Sequence, residues 1–218
     1  MRIFNVLTDE EIEKINKSIE KIEKWDDGKD TATGDAKNRK ENFQITENNQ
    51  IFVDEIRPKI QEIHSNAVVK SYTFAHALVS PRIASYKNGG HYDFHVDVSI
   101  MGQHRTDLSY TIWLTDQDEY EGGELVLALE GGQHLTVKGK KGQMCVYSTG
   151  LSHQVNAVTD GERRVIIGWL KSHIRDHHMR EMLFRYGHEL NEIKKEIGPK
   201  KVDTLNEIYH QLVRLSSD

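Results

Sequence analysis

The chain has 218 residues and a formal net charge of −5, an acidic balance that argues against the basic face on which nucleic-acid binding depends. Hydrophobic residues make up 37% and charged residues 29% of the chain, which is enough to build one globular domain. No apolar run approaches the roughly 20 residues needed to cross a bilayer, and we expect no signal peptide. Cys145 is the only cysteine, so an internal disulfide is excluded and we expect a cytoplasmic protein.

The N-terminal part of the chain is predicted to be helical. Thr8 and Glu11 have the spacing of a capping box, and isoleucines recur at helical spacing over residues 12–22. A second helix is predicted over about residues 47–65, with Pro58 as a local disturbance. Both helices would pack an isoleucine-rich face against the rest of the fold.

Residues 26–42 lie between these helices and contain almost no apolar side chain, which predicts a long surface loop. The basic cluster at 37–40 within it is interpreted as a solvated face. Because long loops beside β scaffolds often carry binding residues, contact with an acidic substrate is the alternative role of this cluster.

From about residue 70 to residue 172 the apolar pattern has a period of two. Short runs of Val, Ile, Tyr and Thr alternate with Gly, Asn and Asp clusters, and about eight strands without intervening helices predict a sandwich or barrel. The predicted fold class is therefore α+β with a mainly β core, flanked by helices at both ends.

The C-terminal part of the chain returns to helical spacing. One apolar stripe runs over residues 179–193, Gly198-Pro199 ends that helix, and a second helix follows. We predict one domain over residues 1–172, with helical support at 1–69 and a β core at 70–172, and a helical extension at 173–218. The apolar stripes of this extension are compatible with a homodimer.

His95 and Asp97 are two residues apart in a predicted strand. Residues i and i+2 of a strand point to the same face with Cα atoms roughly 6.5–7 Å apart, so an imidazole and a carboxylate can converge on one metal ion. A third ligand must come from a distant strand, and His153 is the best candidate. Two histidines and one carboxylate suit non-haem Fe(II), although a lone His-x-Asp is more often simple surface alternation.

Arg163 opens a strand face that is otherwise apolar. A buried arginine needs a carboxylate partner, which its fork can hold with two hydrogen bonds. Taken alone, Arg163 is better explained by a salt bridge inside the protein. Taken with His95, Asp97 and His153, an acid-bearing co-substrate becomes the better explanation.

Other histidines form weaker patterns. His173, His177, His178 and Glu181 lie close together and raise the alternative of a helical zinc site in a hydrolase, but they lack the His-Glu-x-x-His order. A polar helix start is the preferred interpretation of this cluster. His91, in the turn before the metal strand, is compatible with either a solvated turn or the pocket mouth.

Several ordered motifs together resemble a known family. They are Tyr86-x-x-Gly89-x-x-Tyr92-x-x-His95-x-Asp97, Arg105-Thr106-Asp107-Leu108-Ser109, Tyr120-x-Gly122-Gly123-Glu124-Leu125, Leu151-x-His153-x-Val155 and Ile174-Arg175-Asp176. The first resembles the metal-strand signature of prolyl-4-hydroxylase-like Fe(II)/2-oxoglutarate dioxygenases, and the whole set is similar to the bacterial PKHD-type hydroxylases. One departure is a shorter segment between Asp97 and Arg105, a loop that we expect to border the active site and to affect the choice of substrate.

This resemblance implies a double-stranded β-helix, the jelly-roll fold of the cupins, with Fe(2+) held by His95, Asp97 and His153. It also implies that Arg163 binds the far carboxylate of 2-oxoglutarate and that Tyr86 adds a hydrogen bond to this co-substrate. With O2, and L-ascorbate as reductant, such an enzyme hydroxylates an unactivated C–H bond and releases succinate and CO2. Halogenating relatives lack the carboxylate at Asp97, so hydroxylation is the expected outcome.

Two questions stay open at the level of sequence. A non-catalytic β-barrel that senses iron or 2-oxoglutarate would use the same ligands, so it is the alternative function. The substrate, whether a small molecule or a peptidyl group, is unknown: a peptidyl proline, a free amino acid and a small metabolite are all compatible with the chain, and no membrane partner is expected.

Overall fold

The computed structural model describes residues 1–31 and 34–217 and combines five α-helices with fifteen strands in the described part of the chain. The helices are α1 (Asp9–Glu20), α2 (Arg57–Ser65), α3 (Ala67–Thr73), α4 (His177–Ile197) and α5 (Asp203–Ser216). The strands are β1 (Arg2–Asn5), β2 (Asp26–Asp27), β3 (Lys40–Glu41), β4 (Phe43–Ile45), β5 (Ala75–Lys87), β6 (His91–His95), β7 (Ile100–Met101), β8 (His104–Arg105), β9 (Leu108–Trp113), β10 (Tyr120–Gly122), β11 (Leu125–Ala128), β12 (His134–Val137), β13 (Gln143–Ser148), β14 (His153–Val155) and β15 (Val158–Ser172).

The strands form two main antiparallel sheets. The larger sheet has the order β1-β13-β9-β15-β5-β4-β2, with β10 paired to β15, and the smaller sheet has the order β12-β11-β14-β6-β3. The long strands β5 and β15 pair along most of their length, from Glu162 opposite Lys87 to Ser172 opposite Ala75. A separate hairpin joins β7 and β8. The mixed helix and strand composition with extensive antiparallel pairing confirms the predicted α+β class.

Two apolar cores hold these layers together. The first lies between the helices and the larger sheet: the isoleucines of α1 and the apolar residues of α2 and α3 pack on one face of β9, β13 and β15. The second contains side chains of both sheets, for example Tyr86 of β5 and Val155 of β14. Alternation along β15 divides its side chains between the cores, since Ile166 contacts the first and Val165 the second.

The predicted start of the first helix is confirmed. The Thr8 hydroxyl accepts a hydrogen bond from the Glu11 backbone N–H at 3.3 Å, and the Glu11 carboxylate accepts one from the Thr8 N–H at 2.9 Å. This reciprocal pair satisfies two donors that the first turn of a helix leaves free.

The second predicted helix is present but irregular. A π-helical turn, Phe52–Ile56, directly precedes α2, and Pro58 lies in the first turn of α2. Proline lacks the N–H that an α-helix requires at interior positions, so the predicted disturbance at Pro58 is confirmed. Helix α3 was not predicted. The β pattern was expected from residue 70, but Asn66 caps a short helix by accepting a hydrogen bond from the Val68 N–H at 3.0 Å.

The predicted surface loop at 26–42 is wrong in part. Residues 32 and 33 lie outside the described residues, but the remainder contains 3₁₀ turns at Gly28–Thr31 and Gly34–Arg39 and the short strands β2 and β3. These strands extend the edges of the two sheets, β2 on β4 and β3 on β6. Lys40, which we expected to be solvated, is only 6% exposed. Strand pairing, which the local composition does not show, draws this segment onto the sheets.

The C-terminal helices end and begin as predicted, with Gly198 at a φ of 87° after α4 and Pro199 opening a 3₁₀ turn before α5. Leu205, Ile208 and Leu215 of α5 are exposed. No helix in the described ranges is long and apolar enough to span a membrane.

Candidate active site

The smaller sheet brings the three predicted metal ligands together. His95 is the last residue of β6, and His153 is the first residue of β14. Asp97 was expected in the same strand as His95 but lies two residues beyond its end. Strands β6 and β14 are neighbours, and His153 lies directly opposite His95 in their register. A stretch 58 residues further along the chain therefore supplies the third side chain through antiparallel pairing alone.

The distances between the ligand atoms are short. Asp97 Oδ1 lies 3.4 Å from His95 Nε2, and Asp97 Oδ2 lies 3.5 Å from His153 Nε2. One ligand atom from each residue falls within 4.8 Å of the other two, and among the described residues this is the only such group of three or more histidines, cysteines or acids. The cluster of His173, His177, His178 and Glu181 does not form one.

Backbone carbonyl groups orient both imidazoles. The Nδ1–H of His95 donates to the carbonyl oxygen of Asp93 at 2.7 Å, and the Nδ1–H of His153 donates to that of Leu151 at 2.9 Å. These bonds place the ring protons on Nδ1 and leave the Nε2 lone pairs facing Asp97. Fixing the tautomer through the second ring nitrogen is how proteins prepare histidine for a metal.

Two donors hold Asp97 in place. Its Oδ2 accepts hydrogen bonds from the Ser109 hydroxyl at 2.9 Å and from the Trp169 indole N–H at 2.8 Å. Burial alone would raise the pKa of Asp97, but its contacts with His95 and His153 and the Trp169 hydrogen bond outweigh burial and hold this pKa well below its usual range. Sequence reasoning missed both roles, although Ser109 ends one of the motifs and Trp169 lies on the face that Arg163 opens.

The ligands line a cavity of about 520 Å³, and Arg163 and Tyr86 line it too. Arg163 is 1% exposed, its guanidinium lies 5.1 Å from the centre of the Tyr86 ring, and its Nε and Nη1 make no hydrogen bond within the described residues. Gly123 makes room for this side chain, because a Cβ at Gly123 would lie 2.9 Å from Arg163 Cδ. The salt bridge inside the protein that we weighed for Arg163 is not found in the part of the chain described.

Residues outside the predicted site set also shape the cavity. The Tyr92 ring stacks on His95, with ring centroids 3.5 Å apart and planes 15° from parallel. Lys40 and Arg82 line the cavity and are 6% and 8% exposed. Burial, with the nearby Arg82 charge, lowers the pKa of Lys40 to about 7 despite the opposing effect of Asp97.

His91 does not line the cavity; its Nδ1–H donates to the Gly89 carbonyl at 2.9 Å.

Comparison with known proteins decides the family. The sequence profile of the 2OG-Fe(II) oxygenase superfamily matches residues 81–171, which contain all the predicted site residues. A PKHD-type hydroxylase of Pseudoalteromonas atlantica is 31% identical over 220 residues, covering 97% of this chain and 96% of the relative. The chain belongs to the PKHD-type hydroxylases. A further member, from Nitrosomonas europaea, is 34% identical over 100% of this chain and 99% of its own.

Membership makes the protein an Fe(II)- and 2-oxoglutarate-dependent hydroxylase, an oxidoreductase of the dioxygenase class. Solved structures show the same fold at lower identity. The crystal structure of a Pseudomonas putida prolyl-4-hydroxylase superposes with a TM-score of 0.58 at 16% identity, covering 78% of this chain and 91% of that one. At such identity the likeness concerns the fold, which is that of 2OG-Fe(II) oxygenases.

Proposed function

We propose that this PKHD-type hydroxylase holds Fe(II) through His95, Asp97 and His153 and binds 2-oxoglutarate through Arg163, with Tyr86 beside it. The enzyme hydroxylates an unactivated C–H bond and releases succinate and CO2. One observation carries the assignment: three converging metal donors line the same cavity as a buried arginine that has no carboxylate partner among the described residues.

The three donors fit an iron ion. The carboxylate oxygens of Asp97 lie 3.4 and 3.5 Å from the two Nε2 atoms. One donor atom from each residue lies within 4.8 Å of the other two, which is close enough for a single ion to contact all three. Asp97 is held ionised, and burial lowers the pKa of His153, which favours the neutral ring. These are the protonation states in which such side chains bind metals.

The surroundings of Arg163 fit a dicarboxylic acid. A buried guanidinium without a partner is costly, because the penalty for removing a charge from water is several kcal/mol. A carboxylate that accepts from Nε and Nη1 would satisfy both nitrogen atoms at once. The position on β15 leaves the other end of the co-substrate free to extend toward the metal donors, which line the same space.

When bound, iron and 2-oxoglutarate supply the activation of O2 that the side chains of the protein cannot provide. The contribution of the chain is to position and to exclude water. Ser109 and Trp169 fix the carboxylate of Asp97, backbone carbonyls fix the two imidazoles, and the Tyr92 ring covers one face of His95. The arrangement is thus organised before any ligand arrives.

Other parts of the proposal rest on the resemblance and the sequence. We propose that the two sheets form a double-stranded β-helix, supported by the shared core between them, and that L-ascorbate serves as reductant. Cytoplasmic location, a domain boundary near residue 172 with a C-terminal extension, and a homodimer formed through exposed apolar residues of α5 stay predictions. The family findings do not favour the alternative of a non-catalytic sensor.

The test measures succinate formed from 2-oxoglutarate by the purified protein with Fe(II), O2 and ascorbate. We expect slow turnover without prime substrate and its loss in Asp97→Ala. Asp160→Ala, which removes an exposed carboxylate from β15, is the matched control and should retain wild-type turnover. Binding of Fe(II) and 2-oxoglutarate without any succinate would identify a sensor, and full turnover in Asp97→Ala would contradict the proposed ligand set.

A further inference from the structure

A second pair of cations lines the active-site cavity without an acidic partner. Arg82 of β5 and Lys40 of β3 are both buried, and neither forms a salt bridge to any acid within the described ranges. Buried cations are otherwise expected to be paired. Unlike Arg163, these residues are not explained by the co-substrate.

Each cation lies one ring away from a metal ligand. The Arg82 guanidinium lies 5.0 Å from the centre of the Trp169 ring, and the indole N–H of Trp169 donates to Asp97. The Lys40 ammonium lies 5.1 Å from the centre of the Tyr92 ring, which stacks on His95. An anion held by both cations would therefore lie beside the metal donors, where a substrate must be presented.

Neighbouring polar groups hold the pair in position. Arg82 donates to the Ser80 carbonyl at 3.3 Å, to the Ser80 hydroxyl at 2.7 Å and to Gln44 Oε1 at 3.4 Å. Lys40 donates to the Thr31 hydroxyl at 3.0 Å, and that hydroxyl donates to the same Gln44 oxygen at 2.8 Å. Ser80 has a φ of +47°, which is strained for a residue with a side chain, and such strain occurs at functional sites.

Hydrogen-bond donors are left over in this network. Arg82 has five N–H groups, of which these contacts use only three, and Lys40 has three, of which they use one. Gln44 is fully buried and lines the cavity, and its Nε2 has no hydrogen-bond partner within the described residues. Unused donors from three side chains are suited to an anion.

The charge balance of the loaded site leads to the same conclusion. Fe(II) with Asp97 leaves one positive charge, and the 2-oxoglutarate dianion with Arg163 leaves one negative charge, so these two pairs cancel. The charge of Arg82 remains uncompensated, and so does that of Lys40 whenever this side chain is protonated. The outer part of the cavity is apolar: Val96, Val98 and Ile100 line it and are 56%, 47% and 62% exposed.

We propose that Arg82, Lys40 and Gln44 form the recognition site for a carboxylate of the prime substrate, which is a small carboxylic acid whose apolar part contacts Val96, Val98 and Ile100. The inference rests on the proposed function, because it takes the metal and co-substrate positions as assigned there. The inference predicts that the enzyme binds carboxylic acids and does not bind their neutral derivatives.

The test compares acids with their own primary amides. The probes are branched-chain and aromatic L-amino acids, their N-acetyl derivatives and simple aliphatic and aryl acids, each paired with its amide. The protein is loaded anaerobically with Mn(II) and saturating 2-oxoglutarate, and binding is followed by calorimetry and by the unfolding temperature. We expect at least one acid to bind while its amide does not, with affinity falling about 10- to 100-fold in Arg82→Met and in Lys40→Met.

Lys87→Met is the matched control, because it removes an exposed cation from the same strand as Arg82. This variant should bind the acid as the wild type does, and none of the three variants should change the affinity for 2-oxoglutarate. Equal binding of acids and amides, or no binding of any acid, overturns the inference. Weaker 2-oxoglutarate binding in Arg82→Met also overturns it by assigning the cations to the co-substrate, whereas absence of 2-oxoglutarate binding in the wild type refutes the proposed function instead.

Discussion

Replacing Arg163 by methionine separates the two explanations of this residue. Arg163 is 1% exposed, and two of its guanidinium nitrogen atoms have no hydrogen-bond partner in the part of the chain that the structure describes. Methionine keeps the length of the apolar stem and removes the guanidinium. If Arg163 binds a carboxylate of 2-oxoglutarate, the substitution should weaken the binding of this co-substrate and at the same time stabilise the ligand-free protein. A salt bridge inside the protein predicts instead that the substitution lowers stability and leaves 2-oxoglutarate binding unchanged.

The magnitudes follow from the burial of the charge. Truncating one partner of a buried, hydrogen-bonded charge pair costs about 2–5 kcal/mol, so a loss of about 3 kcal/mol corresponds to a Kd for 2-oxoglutarate roughly 150-fold higher. Replacing even a buried ion pair with apolar side chains is often stabilising by about 1–4 kcal/mol, because removing the charges from water costs more than their attraction returns. Because Arg163 has no carboxylate partner within residues 1–31 and 34–217, we expect about 1–2 kcal/mol of added stability, or roughly 2–8 °C in Tm.

The assay is calorimetric titration of 2-oxoglutarate into protein loaded with Mn(II), together with thermal unfolding of the protein free of metal and ligand. Arg164→Met is the control: this neighbour pairs with Glu162 at 2.9 Å on the partly exposed side of β15, so its loss should cost at most about 1 kcal/mol and leave binding unchanged. A Tm that falls in Arg163→Met while the Kd stays at the wild-type value would refute the reasoning.

Three further outcomes test the surroundings of the site and the core. Trp169→Phe removes a donor to Asp97, so Fe(II) affinity in an anaerobic titration should fall about 10- to 100-fold, and an unchanged affinity would deny that the indole positions the ligand. Gly123→Ala combines a φ of +67° with a contact at 2.9 Å and should lose more stability in urea than Gly131→Ala, which has a φ of +75° but open space; equal losses would show that the contact is harmless. Burial lowers the pKa of His64 to about 4. As the pH falls from about 6.5 to 4, His64 is therefore protonated in the unfolded chain but not in the folded chain, and the free energy of unfolding should drop by up to about 1.4 kcal/mol per pH unit. His64→Leu should flatten that slope in urea unfolding at several pH values, and a slope that stays unchanged would assign it to other groups.

Much of the architecture could be predicted from local pattern. The capping box at Thr8, the period-two strands and the Gly198 stop are signals contained within a few residues, and each is confirmed. Helix α3 was missed because its valines favour strands, and only the cap at Asn66 reveals it. Local composition thus succeeds where a few neighbouring residues decide the structure.

Residues of the candidate site could be predicted only where residue type and spacing indicate a chemical role. His95, Asp97, His153 and Arg163 stand out by residue type and spacing, and the structure places all four around one cavity. The burial of Lys40 could not be foreseen. It depends on the pairing of β3 with β6, which is a contact between segments about 50 residues apart and leaves no trace in the polar composition of 26–42.

Because His95 and His153 are paired across β6 and β14, the metal site depends on the register of these two strands. A side chain changes face with every step along a strand, so sliding β14 by one residue against β6 would turn the imidazole at position 153 away from its two companions. Inserting a single residue between Ser152 and His153 should therefore abolish activity, although all three donor residues are still present. A design that transfers this site to another scaffold must reproduce the pairing of β6 with β14 as well as the three ligand residues.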